Sequence, residues 1–319
     1  QLIEFGERIR KPIKTTDKAL FLYEKEKEEN RYRLLHLKEQ LFGIGIESDY
    51  LNVDEISVSQ VRRYKWIVVY RCTASKKVLR LIKAGNEGGA AIWYSIDDYI
   101  FDEKVLQKSK VSKIGSYRED VLNAQRVLEC MKECDGILVS TENLKQVVKD
   151  KFKGKSILVQ KDAASYEMQA ISKRALSHRR IRYDSIILGF LGDQEAYNTE
   201  FSTIEPVILE ILDEYPQVKL RIGGASEISK ELEMMGERVK RWNEKNWKKR
   251  PGLYSKIDIQ LMPIPNDPYY RVKSDKKWIE ASLLKIPSVM SYTEEMASQI
   301  KQDETGVLCR SKEEWKQKL

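Results

Sequence analysis

SKRALSHRRIRYDSIILGFLG (172–192) carries a polar, basic stretch that ends where an apolar run begins. Before it, short β-branched or aromatic runs alternate with segments of helix length: ALFLY (19–23), WIVVY (66–70), AAIWYSI (90–96), GILVS (136–140) and SILVQ (156–160). After it the pattern starts again, with IILGFLG (186–192), VKLRIGG (218–224), DIQLMP (258–263), PSVMS (287–291) and GVLC (306–309). Near-continuous apolar runs of this length suit parallel strands buried on both faces, and the spacers supply the crossovers between them. The expectation is an α/β chain of two doubly wound, Rossmann-like domains, over residues 18–182 and 183–319, with a cleft between them. Residues 1–17 are expected to form a basic linker or an entering helix.

The 319 residues suffice for two such cores. With 41% apolar and 33% charged residues, and no apolar run near the roughly eighteen residues of a spanning helix, a soluble globular chain is expected. A net charge of +8 favours an acidic partner: a nucleotide, nucleic acid or an anionic membrane surface. The cations are mixed with nearly as many acids, however, and a solvated surface accounts for most of them. No aromatic-basic stripe accompanies them, so nucleic acid is not the expected partner. Four scattered cysteines make no disulfide framework and indicate a reduced, cytoplasmic compartment. Only His36 and His178 are present, which leaves little material for a zinc site or a Ser-His-Asp triad. The start at Gln1 and the stop within SKEEWKQKL suggest a piece of a longer polypeptide, and no signal peptide is visible.

In open parallel sheets, ligands bind beyond the carboxyl ends of the strands, so the strand exits hold the candidate residues. Before the run at 287–291 lies KSDKKWIEASLLKIP (273–287). Ser274 or Asp275 can cap a helix of about three turns that Pro287 bars from continuing. Lys273, Lys276 and Lys277 would deepen the positive potential at its amino end, which suits a diphosphate. Glu280 lies one turn in, on the side extended by Leu283 and Leu284. It could accept from the two hydroxyls of a ribose, or pair with Lys276 or Lys277 on a half-exposed face. Gly192 and Asp193 form a strand-to-helix turn that permits close approach to a ligand, or that simply turns the chain. Asp97 and Asp98, directly after an apolar strand, could supply a general base or cap the next helix. Strand alternation argues that the two do not both face one ligand, so they are not read as a metal pair. Arg31, Arg33 and Arg71 stand after strands, either as phosphate grips or as surface charge.

KSDKKWIEASLLKIPSVMS (273–291), followed by ETGVLCRSKEEWKQKL (304–319), resembles the C-terminal domain of GT-B glycosyltransferases of the family-4-like group. LYSKIDIQLMPIP (253–265) and the β-α-β unit at 188–224 resemble the same domain. RYRLLHLKEQLFGIGIESD (31–49), AAIWYSIDDYIFD (90–102) and CDGILVSTENL (134–144) are similar to transferases that build bacterial surface polysaccharides. The resemblance implies a nucleotide-sugar donor held by the C-terminal domain, a glycan or lipid-linked glycan acceptor held by the N-terminal one, and no bound metal cofactor. It implies transfer of a hexose or deoxyhexose such as rhamnose at the inner face of the cell membrane. Glu280 would contact the donor ribose, Lys273, Ser274 and Lys277 the diphosphate, and Gly192 and Asp193 would line the donor side. Asp98, then Asp97, is the candidate base or acceptor contact, with Arg31, Arg33 and Arg71 as acceptor or phosphate contacts. Val272 stands where many relatives carry the first glutamate of an E-x7-E pattern, which leaves open a module that binds glycan or a partner enzyme without transfer.

Overall fold

The computed structural model describes residues 16–25, 28–109, 117–179, 183–192, 194–225, 227–242 and 246–319. Among them, six strands form a first sheet: β1 (Thr16–Tyr23), β2 (Ser48–Asn52), β3 (Tyr64–Tyr70), β4 (Ala91–Ile96), β5 (Gly136–Val139) and β6 (Ser156–Val159). All neighbours are parallel, in the order β2-β1-β3-β4-β5-β6. A second six-stranded sheet holds β7 (Ile186–Leu191), β8 (Val218–Gly223), β9 (Val239–Trp242), β10 (Ile259–Met262), β11 (Ser288–Ser291) and β12 (Val307–Cys309). Its order, β12-β11-β10-β7-β8-β9, is the 3-2-1-4-5-6 order of dinucleotide-binding folds, again wholly parallel.

The sequence expectation of two doubly wound α/β domains is thus the observed architecture. Side-chain alternation explains why the central strands are apolar throughout. On β7, Leu188 and Phe190 enter one core with Ile208, Leu220 and Leu261, while Ile187 and Leu191 enter another with Tyr254, Ile257 and Leu284. Both faces of that strand are therefore covered, as a parallel sheet demands. Helices begin where the sequence supplies a hydroxyl: Ser75, Thr141, Ser165 and Thr293 each accept the N–H three residues on.

The first compact unit runs to Asp162 and takes back Val272–Ser274, and the second comprises Ala163–Arg271 and Asp275–Leu319. The helix Tyr166–Ser177 therefore belongs with the second unit, ahead of the boundary expected at residue 182. Residues 1–15 of the expected leading linker lie outside the described residues.

The helix that the sequence places before Pro287 covers Lys276–Ser282, two turns rather than three. Its end is set before the proline acts. Lys285 adopts φ 55°, its N–H reaches Ser282 O at 3.0 Å, and Ile286 N–H reaches Ala281 O at 3.1 Å. That pair of bonds around a left-handed residue closes a helix, normally with glycine at the left-handed position.

Two outcomes follow for stability and thiol chemistry. Lys285→Gly relieves the Cβ clash of the left-handed residue and should raise stability by about 0.5–1 kcal/mol, seen as a higher urea midpoint at unchanged slope. All four cysteines are free and buried. Burial pushes the Cys72 thiol well above its ordinary range and the Cys309 thiol up to about 11. At pH 8 the native protein should alkylate far more slowly than the urea-unfolded chain, and equal rates would contradict this burial.

Candidate functional site

In the first sheet the strand order reverses between β1 and β3, so the carboxyl ends of these strands are where a ligand crevice is expected. The Glu24 carboxylate, just after β1, accepts from Thr73 N–H at 2.9 Å and from the Thr73 hydroxyl. One residue beyond β3, Arg71 takes φ 49°, an uncommon conformation for a side chain with a Cβ. Its N–H is held by Ser95 O at 3.1 Å. Its guanidinium donates from Nε to Asp97 Oδ1 at 2.6 Å and from Nη2 to Asp98 Oδ2. The buried Tyr70 hydroxyl adds a third donor, 3.1 Å from Asp97 Oδ1, and burial holds its phenol well above the usual range, so it stays protonated. Both carboxylates thus meet one cation of the protein itself, whereas the expectation from strand alternation concerned a common ligand. The alternation rule ends with β4 at Ile96, and beyond it the chain is free to turn both acids to the same side.

Arg33 is the second focus. The sequence left it between a phosphate grip and surface charge, and it is neither exposed nor alone. It is fully buried, Nη1 donates to Gln160 O, Nη2 donates to Ser95 Oγ at 3.2 Å, and Nη1 lies 3.7 Å from Asp162 Oδ1, with both side chains at 0% exposure. Ser95 therefore serves two arginines, its hydroxyl Arg33 and its carbonyl the backbone of Arg71. Asp162 also accepts from the Ser274 hydroxyl at 2.7 Å, and the Thr141 hydroxyl donates to Val272 O at 2.9 Å while accepting from Leu144 N–H. Arg31 is buried as well, with its guanidinium 4.7 Å from the centre of the Tyr32 ring.

In the second sheet the reversal lies between β7 and β10. Gly192 directly follows β7, and a Cβ there would meet Ala196 Cβ at 2.8 Å and the Phe190 ring at 3.0 Å. Packing within the unit thus already requires glycine at this turn. Asp193 lies outside the described residues. Across the reversal, the N–H of Ile264 is held by Ser291 Oγ at 3.0 Å, which ties the exit of β10 to that of β11. On the helix Lys276–Ser282, Glu280 is 6% exposed beside the fully buried Ala281. Lys277 pairs with Glu200 rather than with Glu280: Nζ lies 2.7 Å from Glu200 Oε2 and 5.1 Å from the centre of the Phe190 ring.

The structure accordingly gathers Arg33, Arg71, Asp97 and Asp98 in the first unit, and places Lys277 and Glu280 on one helix of the second. Lys273 and Ser274 fall in the short segment counted with the first unit. Sequence reasoning did not single out Glu24, Asp162 or Glu200. Each is an acid whose partner lies far along the chain, and no local spacing signals such a pairing. Among the described residues, no group of three or more His, Cys, Asp or Glu side chains is placed to hold a metal ion. No described helix is long and apolar enough to cross a membrane.

No protein-family model matches the chain, and no curated protein matches its sequence. Its fold is similar to several solved structures. Anabaena Alr3699/HepE in complex with UDP and glucose superposes with a TM-score of 0.55 at 12% identity, covering 94% of this chain and 87% of that one. A glycosyltransferase from Rickettsia africae ESF-5 gives 0.60 at 10% identity, covering 94% and 86%. The lipopolysaccharide outer core galactosyltransferase WaaB, in its apo form, gives 0.57 at 12% identity, covering 94% and 88%. At such identities the likeness is one of fold, and that fold is the two-domain α/β architecture of GT-B glycosyltransferases.

Removing one member of a buried ion pair leaves the other charge without compensation. Asp162→Ala should therefore cost about 3–5 kcal/mol in chemical denaturation. Ser274→Ala, which deletes only the hydroxyl donor to Asp162, should cost about 1 kcal/mol. A near-neutral Asp162→Ala would mean that Arg33 is compensated by something other than this carboxylate.

Proposed function

We propose that the chain is a nucleotide-sugar-dependent glycosyltransferase of the family-4-like group. In this reading the second unit holds the donor and the first holds the acceptor, a growing cell-surface glycan, free or lipid-linked, at the cytoplasmic face of the membrane. The sugar moved would be a hexose or deoxyhexose. The observation that carries the reading is Glu280, a carboxylate buried on the same short helix as Lys277, in a unit whose strand order is that of nucleotide-binding sheets. A carboxylate can accept two hydrogen bonds side by side, and the vicinal hydroxyls of a ribose are a matching pair of donors. The fold likeness to HepE, solved with UDP and glucose, supports the same class of donor.

The chemistry then divides between the units. As the bond from the anomeric carbon to the diphosphate oxygen breaks, negative charge grows on the leaving group, and Lys273 and Lys277 meet it with fixed positive potential in place of a bound metal. The acceptor hydroxyl forms the new bond and loses its proton. Asp98 is the better candidate to receive it, because its side chain keeps 20% exposure whereas Asp97 keeps 2% and already accepts from Tyr70 and Arg71. Arg71 orients both carboxylates.

One observation favours a second reading. Val272 is buried at 2% exposure and its carbonyl is taken by Thr141, so the position of the first E-x7-E glutamate serves packing here. A module that binds glycan or a partner enzyme without transfer would tolerate that change.

A panel of UDP-, GDP- and dTDP-sugars, run on wild type and Glu280→Gln, separates the two. The transferase should show a thermal shift and slow donor hydrolysis with one nucleotide class. Loss of a charged hydrogen-bond acceptor for the ribose should weaken that binding about tenfold or more in Glu280→Gln. Silence across the whole panel would favour the non-transferring module, and equal affinity of the two proteins would remove Glu280 from the donor site.

A further inference from the structure

One of the lysines assigned to the donor diphosphate, Lys277, is already paired with an acid of the protein. Lys277 keeps 32% side-chain exposure, while Glu200, its partner at 2.7 Å, keeps 8%. Glu200 is fixed by its backbone: its N–H donates to Ala196 O at 2.7 Å, and its carbonyl accepts from the Thr203 hydroxyl at 2.6 Å. It stands at the end of the helix Gln194–Thr199, which follows β7, the strand beside the reversal of the second sheet. Phe190 of β7 offers its ring face to the same ammonium at 5.1 Å. The lysine is thus held on one side by an aromatic face and on another by a buried acid, with its remaining surface open to solvent.

We propose that Glu200 is a built-in counter-anion that sets how tightly the site grips a nucleoside diphosphate. The inference rests on the reading of Lys277 as a diphosphate contact. A carboxylate in contact with the ammonium keeps Lys277 in place before the donor arrives, so little reorganisation accompanies binding. The same carboxylate repels the phosphate oxygens that approach the open side of that ammonium. Grip on the nucleoside diphosphate is thereby weakened, and the spent nucleotide leaves more readily after transfer. Glu200 is a positioning residue in this account, acting through Lys277.

The sign of the effect makes the test decisive, because loss of a merely structural residue weakens binding, whereas loss of a competing anion strengthens it. Isothermal titration of wild type, Glu200→Gln and Lys277→Gln with UDP, GDP and dTDP is the experiment. Glu200→Met, which has similar length and suits buried surroundings, serves as a second charge-free variant should Glu200→Gln fold poorly. Either Glu200 variant should bind the preferred nucleoside diphosphate about three- to tenfold more tightly. Lys277→Gln should bind it more weakly, and inhibition of transfer by added nucleoside diphosphate should deepen in the Glu200 variants. Unchanged or weaker binding by both Glu200 variants, with Lys277→Gln impaired, overturns the inference and leaves the diphosphate reading intact. Unimpaired binding by Lys277→Gln overturns the diphosphate reading, and the inference with it.

Discussion

A sheet in which every strand runs the same way has two unlike ends, and that asymmetry governs this molecule. Helices on both faces favour apolar side chains along the central strands, as β7 illustrates with Ile187, Leu188, Phe190 and Leu191 divided between two cores. Reactive groups are displaced to the carboxyl ends, where the chain turns and side chains leave the pleat. Glu24, Arg71, Asp97 and Asp162 all occupy such exits in the first unit, and Gly192 does so in the second.

The charges gathered there are compensated locally. Arg33 faces Asp162, Arg71 faces Asp97 and Asp98, and Lys277 faces Glu200. Depth separates the three. Arg33 and Asp162 have no exposed side-chain surface, so their association supports structure. Arg71 with Asp98, and Lys277 with Glu200, keep a solvent-facing part through which a substrate can compete for the same groups. The excess positive charge of the chain therefore says little about these sites, where cations and acids balance.

The sequence made the central strands legible because burial on both faces leaves an apolar run, and the runs at 66–70 and 186–192 coincide with β3 and β7. Two strands had no such mark. β2 (SDYLN) and β9 (VKRW) are edge strands, half open to solvent, and their polar residues conceal them. The candidate site was legible as a set of positions but not as partnerships. Arg33 was visible as a basic residue after a strand, yet its burial depends on Asp162, which is distant in sequence. The convergence of Asp97 and Asp98 on Arg71 was hidden because alternation holds only while the strand lasts. The helix before Pro287 was foreseen, but its early end depends on a left-handed Lys285 that no local residue preference announces.

The excursion of Val272–Ser274 into the first unit has a consequence for how the protein comes to be. Ser274 meets Asp162 across 112 positions and Val272 meets Thr141 across 131, and in both cases Ala163–Arg271 of the second unit lies between. During synthesis the first unit emerges without its last three residues. The buried Arg33–Asp162 pair must then wait for its Ser274 hydroxyl until four of the six strands of the second sheet have been made. A truncation after Asp162 would be deprived of both bonds for good, so an amino-terminal half cut at the first boundary is less stable than the same unit in the whole chain.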